Sequence, residues 1–275
     1  MTDNDRPLIL LTNDDGIRSP ALWAAAEALS EIGFVTVAAP REQSSGAGRS
    51  MPITSDGKLT EEQVEVRGKK WNVYAVGGSP AQAVQHGILE LMPRQPDLVV
   101  AGINYGENLT TGITVSGTVG AALEGASFGV PALAISLEVP AEHYFSHSNA
   151  IDFSVAKYFT AYFARILLEM QPLADVDVLK VDIPSDASET TEWRMTRLSR
   201  QKYYVPVVPP RAQLGDPTNI QFEIELNRDK LEPDSDVYAL RIDRKVSVTP
   251  LSLDITSRVD FAELEYLLKA KESQG

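Results

Sequence analysis

The stretch LILLTNDDGI, residues 8–17, places two adjacent carboxylates at the end of an apolar segment. Its first five residues have the composition of a buried strand, and Asn13, Asp14 and Asp15 follow without a break. Ser19-Pro20 is a better helix start, because proline suits the first helical position. The aspartates therefore lie in a turn with no capping role. They form either a solvated Asp-Gly turn or the ligands of a hard cation that relieves their repulsion.

Strand and helix patterns alternate over the first two-thirds of the chain. The strand at 8–12 is followed by a helix at 20–32 and a strand at 34–38, and the alternation continues to a strand at 178–183. Such alternation predicts an α/β fold with a mostly parallel sheet and helices on both faces, a Rossmann-like three-layer domain. We assign residues 1–190 to this core, which would bind the metal and the phosphate.

Residues 191–275 have a different character. A segment rich in Pro and Gly at 205–217 interrupts the alternation, strand-like segments follow at 219–248, and a helix at about 260–270 ends the chain. We interpret this part as a C-terminal β-rich arm with a terminal helix. We expect it to serve in oligomerisation and to complete the core.

The composition limits the function classes. The chain has 275 residues, 25 Lys and Arg against 38 Asp and Glu, and a net charge of −13. This balance argues against polymeric nucleic acid or an anionic membrane as partner, because both are bound by clustered basic residues. Cys is absent, which fits a reducing compartment. With a polar N-terminus and no long apolar run, the chain is expected to be cytoplasmic.

Oxygen-bearing side chains follow three of the predicted strands. Asp14 and Asp15 follow the first, a serine-rich loop at 41–50 follows the second, and Asn104 and Asn108 follow a later one. In an open parallel sheet, ligands bind at the carboxyl ends of the strands, where the strand order reverses. The three groups therefore predict one shared crevice. Because these loops contain neither His nor Cys, their ligand set favours Mg²⁺, Mn²⁺ or Ca²⁺ over Zn²⁺.

A second candidate site lies at the start of a predicted helix of small residues, at Ser116, Gly117 and Thr118. The N–H groups and the dipole of a helix N-terminus form an anion site, and Gly117 would let a ligand approach the backbone closely. The alternative is a simple Ser/Thr N-cap. Together with Asn13 and Asn108, these residues are our predicted contacts for a substrate phosphate.

Five longer stretches share a pattern with one known family. They are ILLTNDDGI, APREQSSGAGRS, PDLVVAGINYGENL, VSGTVGAALEGASFGVPALAISL and VSVTPLSLDIT, between residues 9 and 256. Together they resemble the survival protein SurE family of metal-dependent 5′/3′-nucleotidases. The resemblance implies a Rossmann-like domain, one divalent cation per subunit, either Mg²⁺ or Mn²⁺, and hydrolysis of nucleoside monophosphates. It also implies a homodimer or homotetramer that exchanges C-terminal elements.

The same resemblance implies that the metal ligands are Asp14, Asp15, Ser45 and Asn104. Ser45 is preferred to Ser44 because it directly precedes the Gly of the Ser-Gly pair, as in the family pattern. Asp14, Asp15 and Asn104 are also our predicted catalytic residues. Either aspartate is a candidate to accept a proton from the attacking water.

The chain departs from the family pattern at two places. Arg41-Glu42 stand where the family has Asp-Arg, and the segment 78–83 lacks the acidic residue of the family's Gly-Thr-Pro-x-Asp-Cys. Neither departure removes a predicted ligand, and both bear on substrate preference. A competing hypothesis is a non-catalytic, receiver-like signalling module whose acidic pair binds Mg²⁺. It explains Asp14 and Asp15 but not the loops around Asn104 and Ser116.

Two further groups have weaker patterns. His143 and His147 are four residues apart, a spacing compatible with two metal ligands on a helix, but no helical pattern accompanies them. A basic cluster in the C-terminal arm is either a solvated face or a contact with a substrate phosphate or a neighbouring subunit. The cluster comprises Arg194, Arg197, Arg200 and Lys202.

Overall fold

A central sheet with helices on both sides organises the fold. Within residues 6–66, 69–144, 148 and 150–272, which the computed structural model describes, eleven strands and five α-helices form. The strands are β1 (Leu8–Thr12), β2 (Phe34–Pro40), β3 (Leu59–Val66), β4 (Lys69–Val76), β5 (Leu98–Tyr105), β6 (Ala132–Leu137), β7 (Val178–Ile183), β8 (Trp193–Met195), β9 (Tyr204–Val207), β10 (Gln221–Ile224) and β11 (Val246–Leu251). The α-helices are α1 (Pro20–Ser30), α2 (Pro80–His86), α3 (Gly117–Ser127), α4 (Ser154–Glu169) and α5 (Phe261–Glu272).

Nine of these strands form one mixed sheet in the order β3-β4-β2-β1-β5-β6-β7-β11-β8. The run from β4 to β7 in this order is parallel throughout, whereas β3 is antiparallel to β4 and β11 to β7. The strand order reverses at β1, because β2 lies on one side of it and β5 on the other. Ligand sites in such sheets lie at the carboxyl ends of the strands near this point. The predicted Rossmann-like, mostly parallel sheet is confirmed.

The burial of β1 explains its composition. Leu10 pairs with Thr36 of β2 and with Val99 of β5, and Ile9–Leu11 are fully buried. A strand that is covered on both faces requires a continuous apolar run rather than an alternating one. Because β1 ends at Thr12, the polar residues that follow emerge at the carboxyl edge of the sheet.

Helices cover both faces of the sheet. On one face, Leu22 of α1 and Phe159 of α4 belong to the same apolar core. On the other face, Val84 of α2 and Val119 of α3 belong to a second apolar core. The three predicted layers are therefore present, and α3 is placed with its N-terminus at the carboxyl edge of the sheet.

The last part of the chain contributes to two sheets. Strands β8 and β11 extend the main sheet beyond β7, whereas β9 and β10 form a separate antiparallel hairpin. The described side chains of α5 are almost all exposed. In the part of the chain that the structure describes, no helix is both long enough and apolar enough to cross a membrane.

Candidate active site

Asn13 closes the turn that presents the two aspartates. Its side-chain oxygen accepts a hydrogen bond from the Gly16 N–H at 3.1 Å, and its amide donates to the Gly16 carbonyl at 3.2 Å. Gly16 has a φ of +95°, a left-handed conformation that glycine adopts without a steric penalty. The structure thus gives the buried Asn13 side chain a turn-forming role, and its predicted contact with a substrate phosphate stays a prediction.

Asp14 lies against the N-terminus of α3. The Thr118 hydroxyl donates to Asp14 Oδ1 at 2.5 Å, and the backbone N–H groups of Gly117 and Thr118 also donate to this carboxylate. A Cβ atom on residue 117 would lie 2.6 Å from the Asp14 Cβ, so the close approach requires glycine. Burial raises the pKa of Asp14, and these hydrogen bonds oppose the rise. The anion at this helix start is therefore the Asp14 carboxylate.

Ser116 is the N-cap of α3. Its Oγ accepts a hydrogen bond from the Val119 N–H at 3.1 Å, which is the simple cap that the sequence left open. Gly117 and Thr118 direct donors to Asp14. Gly117 and Thr118 therefore orient a carboxylate of the site while Ser116 caps the helix, and the direct contact of the three residues with a substrate phosphate stays a prediction.

Asp15 is buried beside Asp14. Burial and the neighbouring Asp14 charge raise the pKa of Asp15 to about 8, and hydrogen bonds from the Tyr105 N–H and the Gln43 side chain oppose the rise. The donor nitrogens lie 3.4 Å and 3.2 Å from the Asp15 carboxylate oxygens. Two adjacent buried carboxylates are costly to ionise together. A divalent cation bound between them would offset that cost.

Gln43 is a candidate functional residue that the sequence analysis missed. Its Nε2 lies 3.2 Å from three acceptors, namely Asp15 Oδ1, Ser45 Oγ and the Tyr144 carbonyl oxygen. A carboxamide has two hydrogens, so it cannot satisfy three acceptors fully at the same time. The contact brings Asp15 and Ser45, two of the predicted ligands, to one amide group. The only pattern that pointed to Gln43 is its place two residues before Ser45 in the same loop.

The loop that carries Ser45 is attached to both β1 and α3. The Ser44 N–H donates to the Asp14 carbonyl at 2.7 Å. Arg49 Nε donates to the buried Glu124 carboxylate of α3, also at 2.7 Å. These two contacts fix the loop at each end, and the serine hydroxyl is thereby held at the edge of the sheet.

Asn104 lies inside β5, one residue before its end, so the prediction that it follows the strand is wrong: the strand extends to Tyr105, the residue that contacts Asp15. The following residue, Tyr105, donates its backbone N–H to Asp15, so Asn104 is adjacent to the acidic pair. The Asn104 amide donates to the Gly106 carbonyl at 2.6 Å. Because the contact is made by the amide nitrogen, it fixes the orientation of the Asn104 side chain.

Asn108 is held by a buried group of charged side chains. Its N–H donates to Asp182 Oδ1 and its carbonyl accepts from Lys180 Nζ, both at 2.7 Å. Lys180 also pairs with Asp182 and Asp236, and all three of these charged side chains are fully buried. The Asn108 side chain donates to Ser136 Oγ at 2.9 Å. The loop after β5 is thus fixed by contacts to β6, β7 and the C-terminal arm.

Glu107 attaches the C-terminal arm to the same loop. Its carboxylate accepts from the Tyr203 hydroxyl at 2.5 Å and from the Tyr144 hydroxyl at 3.3 Å, and its carbonyl accepts from the Tyr204 hydroxyl at 2.8 Å. Burial raises the pKa of Glu107. No motif singled out this residue, because Tyr203 and Tyr204 are 96 and 97 positions away in the chain.

The candidate ligand set contains only oxygen atoms. Within the described residues, no group of three or more His, Cys, Asp or Glu side chains is arranged to hold a metal. His143 lies in the short 3₁₀ helix Ala141–His143, and His147 lies outside the described residues. Two carboxylates completed by the neutral oxygens of Ser45 and Asn104 fit Mg²⁺ or Mn²⁺ better than Zn²⁺.

Comparison with known proteins gives one consistent result. The family model described as Survival protein SurE matches residues 9–205. The 5′-nucleotidase SurE of Thermococcus gammatolerans is 42% identical over 268 residues, which are 97% of this chain and 97% of that protein. The 5′-nucleotidase SurE of Thermococcus kodakarensis is 43% identical over 265 residues, which are 96% of this chain and 99% of that protein.

The fold gives the same answer as the sequence comparison. The crystal structure of the SurE protein from Aquifex aeolicus matches with a TM-score of 0.74 and 31% sequence identity. The match covers 95% of this chain and 100% of that one. Because the family model matches residues 9–205 and the relatives and the fold match over nearly the whole length, the chain belongs to the survival protein SurE family.

Proposed function

We propose that the protein is a divalent-metal-dependent phosphomonoesterase that hydrolyses nucleoside monophosphates to nucleoside and phosphate. The observation that carries this proposal is the buried pair Asp14 and Asp15 at the carboxyl end of β1. Asp15 and Ser45 meet at one amide group, and Asn104 precedes the residue that donates to Asp15. The relatives named 5′-nucleotidase SurE support a nucleotide as the substrate.

Asp14, Asp15, Ser45 and Asn104 would hold the cation, for which we propose Mg²⁺ or Mn²⁺. A bound cation of this kind polarises a phosphoryl oxygen and lowers the pKa of an attacking water. The two aspartates are buried, so the local dielectric constant is low. A low dielectric constant strengthens the attraction between a bound cation and a phosphate.

The chain's own residues orient the reacting groups. The Thr118 hydroxyl and the first N–H groups of α3 hold the Asp14 carboxylate in one orientation before any ligand arrives. Asn108 donates one amide hydrogen to Ser136, which leaves its second amide hydrogen for a phosphoryl oxygen. Groups that are oriented in advance in this way lower the barrier, because they need no reorganisation during the reaction.

Phosphate release from adenosine monophosphate, with Mn²⁺ and with excess EDTA, tests the proposal. We expect turnover with Mn²⁺, its loss in EDTA and its recovery when Mn²⁺ is restored. Asp14→Asn and Asp15→Asn should each remove nearly all turnover, because a charged ligand is lost while the side-chain volume hardly changes. Asp254→Asn is the matched control, since Asp254 is exposed and its carboxylate accepts hydrogen bonds from the nearby Thr256.

The receiver-like module predicts a different outcome in the same assay. It would bind Mg²⁺ without releasing phosphate from adenosine monophosphate or from p-nitrophenyl phosphate. Absence of turnover with both compounds in the presence of Mn²⁺, or full turnover in excess EDTA, would contradict the proposed metal-dependent hydrolysis.

A further inference from the structure

The basic cluster of the C-terminal arm separates into two halves in the structure. Arg194 forms an ion pair with Asp243 at 2.6 Å, and Arg197 forms one with Asp234 at 2.9 Å. These two arginines therefore stabilise the arm itself. The other two members, Arg200 and Lys202, line a cavity of about 320 Å³.

A third cation joins them from a different segment. Lys230, in the 3₁₀ helix Arg228–Lys230, lines the same cavity. Within the described residues, no ion pair includes Arg200, Lys202 or Lys230, although Arg241, Arg244 and Lys245 of the arm are all paired. Arg241 and Arg244 both pair with Glu138, and Lys245 pairs with Glu192. The arm thus brings together three cations that form no ion pair within the described part of the chain.

The cavity has the chemistry of an anion site. Three basic side chains and one carboxylate, Glu225, line it, so the lining is positively charged in a chain of net charge −13, and the nearby Glu232 carboxylate accepts the Arg200 backbone N–H. Gln201 and Asn227 add amide groups to the wall, and an amide hydrogen donates well to a phosphate oxygen. A positive local charge disfavours a metal ion and attracts multiply charged anions.

We propose that this cavity binds a small phosphate-bearing anion, at a site separate from the aspartate pair. Lys and Arg give their strongest hydrogen bonds to charged oxygens, and Arg200 adds the planar guanidinium that matches two phosphate oxygens. The volume is at the lower end of the range for small-molecule sites. A cavity of this volume accommodates a small anion such as phosphate or pyrophosphate.

The cavity shares one wall with the loop that follows β5. Thr110 lines the cavity, lies two residues after Asn108 and has a φ of +59°, which is rare for a β-branched residue. Its N–H donates to Asp236 at 2.8 Å, so the buried carboxylate holds it in this conformation. An anion bound in the cavity would contact the loop that carries Asn108.

Inorganic phosphate and inorganic pyrophosphate, titrated by calorimetry into full-length protein that has been stripped of metal and dialysed free of chelator, test the proposal. Without a cation the aspartate pair lacks the group that would hold a phosphate, so the titration reports the cavity. We expect both anions to bind, pyrophosphate more tightly. The triple variant Arg200→Gln/Lys202→Gln/Lys230→Gln should weaken binding by about tenfold or more, because three charge contacts are lost. The assay needs no turnover, so its result is independent of the proposed hydrolysis.

The matched control is Lys58→Gln/Lys70→Gln/Arg165→Gln, which removes three exposed cations outside the cavity and changes the net charge equally. It should bind phosphate as the wild-type chain does. Amide NMR shifts on adding phosphate to the wild-type chain, which require no variant, should cluster at Thr110, Gln201 and Asn227. Equal binding by the cavity variant and the wild type, no binding by the wild type, or shifts confined to other regions would overturn the proposal.

Discussion

At the scale of single residues, Asp14 occupies the anion position that the sequence predicts at the start of α3. Two backbone N–H groups and the Thr118 hydroxyl hold its carboxylate. A helix N-terminus stabilises negative charge, so α3 acts on the site through this side chain. The glycine at residue 117 is needed because the helix backbone and Asp14 are in direct contact.

We expect Gly117→Val to impair cation binding and hydrolysis together. The new side chain would overlap Asp14, whose Cβ and Oδ2 lie 2.6 Å and 2.8 Å from the position of a Cβ on residue 117. The kcat/KM for adenosine monophosphate should fall by about 10²-fold or more. Calorimetric titration with Mn²⁺ should show weaker binding, whereas an occluded phosphate contact alone would leave the Mn²⁺ affinity unchanged.

Gly112→Ala is the control for this substitution. A Cβ on residue 112 would meet its nearest neighbour at 3.6 Å, which is an ordinary contact. We expect wild-type Mn²⁺ affinity and turnover for this variant. Wild-type Mn²⁺ affinity in Gly117→Val would show that the position of Asp14 does not depend on the glycine.

The buried Asp15 predicts a stability that decreases with pH in the metal-free protein. Burial and the Asp14 charge raise its pKa from 3.8 to about 8, so the folded state keeps a proton that the unfolded state loses. The free energy of unfolding in EDTA should therefore fall as the pH rises through this window, by about 1–3 kcal/mol between about pH 5 and about pH 8. Urea unfolding of the metal-free protein at the two pH values measures this change in the free energy of unfolding.

Asp15→Asn supplies the comparison for the pH effect. The amide has no charge to lose, so the variant should show a flatter pH dependence and should be more stable than the wild type at about pH 8 in EDTA. Equal stability of the wild-type chain at both pH values would contradict the assigned burial effect.

At the scale of elements, the loop after β5 is held from two sides. Lys180 and Asp182 of β7 bind the Asn108 backbone, and Asp236 of the arm binds the N–H of Thr110. A loop so extensively fixed is part of the rigid scaffold and can present Asn108 in one orientation.

We expect Lys180→Met to destabilise the protein strongly. The ammonium group is fully buried between Asp182 and Asp236, so its removal leaves two buried carboxylates without their cation. Breaking a buried charge group in this way costs about 3–5 kcal/mol. Urea unfolding gives the change in the free energy of unfolding.

Lys245→Met is the matched surface control for the buried lysine. The Lys245 side chain is 38% exposed and pairs with Glu192, and such a surface ion pair contributes about 0–1 kcal/mol. A similar small cost for both variants would show that the buried group is not needed for stability.

At the scale of the whole molecule, we propose that the arm both completes the sheet and assembles subunits. Strands β8 and β11 lie in the main sheet, whereas α5 presents apolar side chains to solvent. These are Phe261, Leu264, Tyr266, Leu267 and Leu268. An exposed apolar surface of this kind is typical of a contact with another protein surface, and exchange of identical elements gives a dimer at low cost.

Removal of α5 therefore should change the oligomeric state. We expect the full-length chain to be a dimer or tetramer by light scattering at micromolar concentration, and a chain ending at Ser257 to give monomers or aggregates. Full-length protein that is monomeric under these conditions would contradict the proposed assembly.

The sheet and the position of the acidic pair were predictable, whereas the partners of the pair were not. The apolar run before Asn13 indicated a strand covered on both faces, and its end located Asp14 and Asp15. Gln43 and Glu107 lie within stretches that resemble the family, but the contacts of neither residue were predictable from the sequence. Their partners come from segments that meet only in the folded chain, such as Tyr203 with Glu107.

Local patterns were thus sufficient for the fold class and for the end of β1, because burial and backbone geometry impose periodicities that neighbouring residues reveal. The tertiary structure alone decided that the start of α3 binds Asp14, 104 positions away from Thr118. It also decided that half of the basic cluster is paired while Arg200 and Lys202 face a cavity. Hydrogen bonds act over about 3 Å, so which donor serves which acceptor depends on distances that exist only after the layers have packed.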